Sequence, residues 1–130
     1  TGRSLACRER SSTMTIYEER RGSVGILSLN GSFVGKPGAS LFERAIFGLL
    51  KDDCTSIILD LAELKFIDSA GLGAIIAAMV SVGRRDGALK LAAVRGEVQK
   101  TVTGMHLDQV FELHDSVEQA VASYIKKGKT

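Results

Sequence analysis

Cysteine is scarce, long apolar runs are missing, and charge is close to balanced. Each deficit removes a class of protein. The two cysteines, Cys7 and Cys54, stand far apart with no second pair near either. That excludes a metal-type spacing, and a Cys7–Cys54 disulfide would tie the chain's first residues to the start of a buried strand, so free thiols in a reducing compartment are expected. No stretch reaches the roughly 18 apolar residues that span a bilayer, and the N-terminus lacks the apolar core of a secretory signal. A cytoplasmic protein with no membrane contact is expected. The net charge is +2, and Arg3, Arg8 and Arg10 against Glu9 account for all of it. The rest of the chain is balanced, which leaves no basic stripe for direct nucleic-acid binding. There is no internal repeat and no low-complexity block.

What remains is 130 residues with 45% apolar content, enough for the core of a single domain. Residues 1–13 read as a tag-like or disordered tail and Met14 as a native start, which leaves 14–127 as the folded domain. Residues 15–19 (TIYEE) and 24–29 (VGILSL) are β-rich and flank Arg20-Arg21-Gly22-Ser23, so they read as a hairpin. Residues 30–38 (NGSFVGKPG) read as a loop. Leu41, Phe42, Ala45, Ile46, Leu49 and Leu50 then recur at helical spacing over 39–51. A buried strand follows at 56–61 (SIILDL).

Leu72, Ile75, Ile76, Met79 and Val80 predict a helix from about Ser69 to Asp86, closed by Gly87. A strand at 88–94, a short helix at 97–103 and a strand near 110–113 come next. A last helix at 117–127 has Asp115 as its cap and Val117, Ala120, Val121 and Tyr124 as its buried stripe. The order β-β-α-β-α-β-α-β-α predicts an α/β fold: a mixed β-sheet with an antiparallel edge hairpin and about four helices packed against it.

The stretch Phe66-Ile67-Asp68-Ser69-Ala70-Gly71-Leu72-Gly73 lies where the buried strand gives way to the apolar helix. Asp and Ser cap helices because their oxygens accept the unpaired N–H groups of the first turn, and the same donors attract anions. Gly71 and Gly73 are poor helix formers, so their presence implies that another backbone or a partner comes close. By capping preference alone, Ser69 is a structural cap.

FIDSAGLG, with SIILDL before it and GALKLAAV after it, closely resembles the STAS family and, within it, the bacterial anti-sigma factor antagonists. The resemblance covers 14–124 and implies the STAS architecture. It also implies that Ser69 is the phosphoacceptor, and that the protein is a non-enzymatic antagonist of an anti-sigma serine kinase, with ATP bound by the partner. Phosphorylation of Ser69 would switch it off and so regulate sigma-factor-dependent transcription. The docking face would comprise Gly31, Ser32, Phe33 and Val34 with Asp68, Ser69, Ala70, Gly71, Leu72, Gly73 and Ile76. Val34 stands where many such antagonists carry an acidic residue. A second expectation within the same fold is a scaffold or regulatory subunit of a stress-signalling assembly or of a lipid-transport ATPase, with Ser69 structural. A third is a binder of a small ligand or nucleotide at the same helix start.

Other constellations carry little. His106 and His114 pair with nothing by spacing and read as surface or turn residues. Asp60 and Asp68 bracket the central loop but are too few oxygens for a metal, and no cofactor or metal is expected. Gly71-Leu72-Gly73 lacks the third glycine and the distal acid of a dinucleotide site. Asp68-Ser69-Ala70-Gly71 lacks the glycine two positions before the serine that a hydrolase elbow carries.

Overall fold

In the computed structural model the described residues are 6–10 and 13–128, with 6–10 and 126–128 as backbone only. The strands are β1 (Ala6–Arg10), β2 (Met14–Arg21), β3 (Val24–Phe33), β4 (Ser56–Asp60), β5 (Leu64–Ile67), β6 (Ala88–Ala92) and β7 (Glu112–His114). The helices are α1 (Gly35–Lys51), α2 (Ser69–Gly83), α3 (Gly96–Gly104) and α4 (Val117–Gly128), with a single 3-10 turn at Leu107–Gln109. The sheet runs in the order β1-β2-β3-β4-β6-β7. β1–β2 and β2–β3 pair antiparallel, and the pairs from β3 onward are parallel. It is the expected mixed sheet with an antiparallel edge and four helices.

Strand alternation sorts the side chains into two cores. Leu27, Leu29, Ile57, Leu59, Leu89 and Leu91 point to the face covered by α1, α2 and α3. Val24, Ile26, Ile58 and Ala92 point to the opposite face, where α4 lays down Val117 and Ala120 with Val121 and Tyr124. Lys90 shares that second face and is only 1% exposed. Its ammonium lies 2.5 Å from Ser123 Oγ, 3.0 Å from Glu112 Oε2 and 4.1 Å from the centroid of the Tyr124 ring. A buried charge is tolerable only with such partners. Tyr124 in turn shares its hydroxyl with the carbonyls of Ala88 and Ile57, and burial pushes its pKa well above the phenolic range.

Four boundaries differ from the sequence reading. Part of the segment set aside as a tail, Ala6–Arg10, is a strand against β2; residues 1–5 and 11–12 lie outside the described residues. The loop expected at 30–38 is mostly structured: β3 continues to Phe33 and α1 begins at Gly35. β3 can continue because β5, which the sequence reading did not include as a strand, takes over as its parallel partner at Gly31, Ser32 and Phe33. Pro37 sits within the first turn of α1, where its missing N–H costs nothing.

At the end of α2, Asp86 adopts the left-handed conformation rather than Gly87. Gly87 is glycine for another reason, since a Cβ there would run into the Thr55 carbonyl. The cap of α4 is Ser116, whose Oγ accepts from Gln119 N at 3.1 Å, and not Asp115. Asp115 instead donates its own N–H to the Gln119 side chain at 3.2 Å.

Candidate functional site

Because β5 pairs with the last residues of β3 (Ser32↔Phe66, Phe33↔Ile67), the chain leaving β5 arrives beside the β3–α1 junction. Asp68 N donates to the Phe33 carbonyl at 3.2 Å. Asp68 is extended, and its Oδ1 accepts from Gly71 N at 2.9 Å. It is therefore the cap of α2, and Ser69 is the first helical residue. Its other oxygen, Oδ2, accepts from Gly35 N at 3.0 Å. The N–H of Gly71, with that of Gly35 behind it, holds the Asp68 carboxyl below the usual aspartate range despite partial desolvation. Neither α1 nor α2 has an acidic residue in its first turn, and Val34, which precedes α1, offers no side-chain cap. One carboxylate thus serves the N-termini of two helices, reaching a donor 33 residues away in the chain.

Ser69 is exposed, and among the described residues its hydroxyl takes part in no hydrogen bond. The unpaired donors and dipole of the α2 N-terminus surround it, so an anion attached there meets a favourable field. Gly73, Ala77 and Val80 continue the exposed side of the helix, Val80 at 48% exposure. That side borders an apolar groove of about 290 Å³ between α1 and α2, lined by Ile46, Phe47, Leu50, Ala74, Ala77 and Ala78 with Glu43 and Ser81.

The other residues expected at the docking face divide. Gly31, Ser32, Val34, Asp68, Ala70 and Ile76 are half-buried, and Ile76 leans on the main core. Phe33 and Leu72 are core residues at 0% and 2% exposure, so their side chains cannot meet a partner. Phe33 instead packs its ring against Phe42, centroids 5.3 Å apart. Gly71 is buried, because a Cβ on it would stand 2.7 Å from Ile67 Cγ1 and 2.8 Å from the Phe33 carbonyl oxygen. A Cβ on Gly73 would have nothing within 4 Å. The close approach inferred from both glycines is internal at Gly71 and open to solvent at Gly73.

Sequence reasoning missed Gly35 as a donor to the site, although the Pro37 that follows it was a legible sign of a helix start. It also missed a pairing for His114, whose Nε2 lies 2.8 Å from Glu112 Oε2. The two residues alternate on one strand and so share a face. Burial pushes the Glu112 carboxyl up, but His114 and Lys90 outweigh it and hold it below the usual glutamate range. His106 is exposed in a left-handed turn. Asp60 serves its own neighbourhood, accepting from Ala62 N at 3.1 Å and from Ser28 Oγ at 3.4 Å. Cys54 is buried and free, and burial raises its thiol pKa; the side chain of Cys7 lies outside the described residues. Among the described residues no three His, Cys, Asp or Glu side chains group as a metal site. No helix of the described residues is long and apolar enough to cross a membrane.

A family model described as the STAS domain matches residues 16–120. The anti-sigma-F factor antagonist RsfB of Mycobacterium tuberculosis is 28% identical over 113 residues, 85% of this chain and 88% of RsfB. Among solved structures, an anti-sigma factor antagonist from Mycobacterium paratuberculosis superimposes with a TM-score of 0.76 at 21% identity, covering 88% of this chain and 97% of that one. The Bacillus cell fate determinant SpoIIAA in its phosphorylated form gives 0.66 at 18% identity, covering 84% and 98%.

Proposed function

The chain belongs to the STAS domain family, and from that premise we propose that it is an anti-sigma factor antagonist switched by phosphorylation of Ser69. The observation that carries this reading is an exposed serine with a free hydroxyl at the first position of α2, held out by an aspartate that does the capping in its place. A serine needed as the cap would have its oxygen engaged. The resemblance to RsfB supports the same role.

In the unphosphorylated state the Ser69 turn and the adjoining β3–α1 junction dock on an anti-sigma serine kinase in the cytoplasm, and the kinase releases its sigma factor. The antagonist contributes no catalysis, no cofactor, and no contact with nucleic acid or membrane. ATP is bound by the kinase. Ser69 Oγ attacks the γ-phosphorus, ADP leaves, and the hydroxyl proton passes to a base of the partner.

The product carries about −1.5 to −2 charges and three acceptor oxygens at the helix start. Within the domain the dipole of α2 accommodates that charge. At a docked surface the same dianion, one residue from the Asp68 carboxylate, must be desolvated without a matching cation, which opposes binding.

Intact-mass spectrometry after incubation with ATP and the kinase tests this. One phosphoryl group on the wild-type chain and none on Ser69→Ala is expected, with Ser69→Ala still binding. Phosphate appearing on Ser69→Ala sinks the assignment.

A further inference from the structure

We propose that Asp68 is a positioning residue of the switch: its single carboxylate caps α1 and α2 together, so that a partner meets the β3–α1 junction and the Ser69 turn as one rigid surface. The functional arm of this inference rests on Ser69 being the phosphoacceptor; the structural arm does not.

A helix start leaves several backbone N–H groups without partners. α1 is the poorly provided one, because Val34 brings no acceptor and Gly35 sits in the left-handed region at φ +66°. Asp68 Oδ2 supplies the missing acceptor from a distant part of the chain, while Oδ1 stays on Gly71. The backbone repeats the tie, since Asp68 N donates to Phe33 O. Gly71 permits it, as the Phe33 carbonyl comes to where a Cβ would stand. Asp68 therefore joins the two segments through side chain and main chain. It is only half-buried, yet both its oxygens are turned to backbone donors of its own domain, which makes it a poor candidate for direct contact with the partner.

Asparagine separates capping from joining. It caps helices about as well as aspartate, but it has one acceptor oxygen in place of two. Asp68→Asn should keep the local bond to Gly71 and give up Gly35. Amide hydrogen exchange by NMR on the full chain reads both arms. Exchange at Gly35 should rise about tenfold, as expected for loss of one charge-assisted hydrogen bond, while Gly71 changes by less than about twofold. With the kinase that phosphorylates the wild-type chain, kcat/KM for Ser69 should fall about tenfold, through KM rather than kcat, because the defect is in presentation and not in the hydroxyl. Asp68→Ala should release both amides.

Unchanged exchange at Gly35 in Asp68→Asn would overturn the shared cap. Faster exchange with unchanged kcat/KM would overturn the positioning role. If no kinase phosphorylates the wild-type chain, the phosphoacceptor reading falls, and exchange at Gly35 still decides for or against the shared cap.

Discussion

Gly71 and Gly73 stand two residues apart at the start of α2 and face opposite ways. On the inward side, Gly71 lies against Ile67 and the Phe33 carbonyl with no room for a methyl group. On the outward side, Gly73 faces open space next to Ser69, which is likewise exposed. The inward surface is fixed by the fold: β5 can pair with the end of β3 and pass into α2 only if the helix start comes up against that carbonyl. The outward surface owes nothing to internal packing, so its small side chains are available to whatever docks there. One turn of helix thus separates a packed surface from an open one.

The largest expected effect comes from breaking the inward side. Gly71→Ala should destabilise the protein by about 3 kcal/mol, at the top of the range for overpacking, because one of the clashing atoms is backbone and cannot rotate away. Urea denaturation with an unchanged m-value measures it. A loss under about 0.5 kcal/mol would mean that the junction of β5 and α2 yields, and that the two sides are less distinct than their geometry implies.

An intermediate effect is expected on the outward side, in binding and not in folding. Ser69→Asp adds about one negative charge where phosphoserine adds up to two, and it should weaken the kinase complex at least about tenfold, or about 1.4 kcal/mol. Stability should hold, since the dipole favours the new carboxylate. Calorimetry on the complex beside a thermal melt separates the two. Equal affinity for wild type, Ser69→Asp and true phosphoserine would remove the outward side from the switch.

Asp68 sits between the two sides, and pH tests it. Its pKa is lowered in the folded protein, first by the Gly71 N–H. The stability it contributes is therefore fully present above the unfolded aspartate value of about 3.9 and is lost as pH falls through the lower folded value. Asp68→Asn should lower stability at neutral pH by about 1 to 2 kcal/mol, as for loss of one hydrogen bond to a charged group, and leave the acid end nearly unchanged, so that this part of the acid limb of a stability-against-pH curve flattens. An acid limb that keeps its full slope in the variant would assign that slope to other carboxylates.

The repeating parts of the molecule were legible in the sequence, and the junctions were not. The stripe Leu41, Phe42, Ala45, Ile46 and Leu49 is buried as its spacing required, and so are Val117 and Ala120, because periodicity records which face meets the sheet. The stretch LKFI gave no such sign. It is a strand through its partner at the end of β3, and pairing between distant segments leaves little local trace. The buried stripe of α2 was also shifted: alanines at 74 and 78 face inward while Val80 stays exposed, since α1 packs against α2 and small residues suit that contact. At the site, FIDSAGLG located the helix start and the exposed serine. Which of its members face solvent depended on Phe33 and Gly35, brought in from another part of the chain.

A small gain in stability is expected of Gly73→Leu, which sharpens the comparison most directly. Glycine inside a helix costs about 0.8 to 1 kcal/mol relative to alanine, and leucine is nearly as good a helix former as alanine. With nothing within 4 Å of a Cβ at this exposed position, a side chain can leave the helix towards solvent, and the fold should gain a few tenths of a kcal/mol up to about 1 kcal/mol. Part of that gain is offset by the exposure of a new apolar surface. Binding should move the other way. A partner that lies along Ser69, Gly73 and Ala77 approaches the helix closely, and a leucine in the middle of that surface holds it off, so affinity should fall although the protein itself is more stable. Thermal melting and calorimetric affinity on one preparation give both numbers. Higher stability with lower affinity is the expected pair. Higher stability with unchanged affinity would move the docking surface off this side of α2, towards the β3–α1 junction.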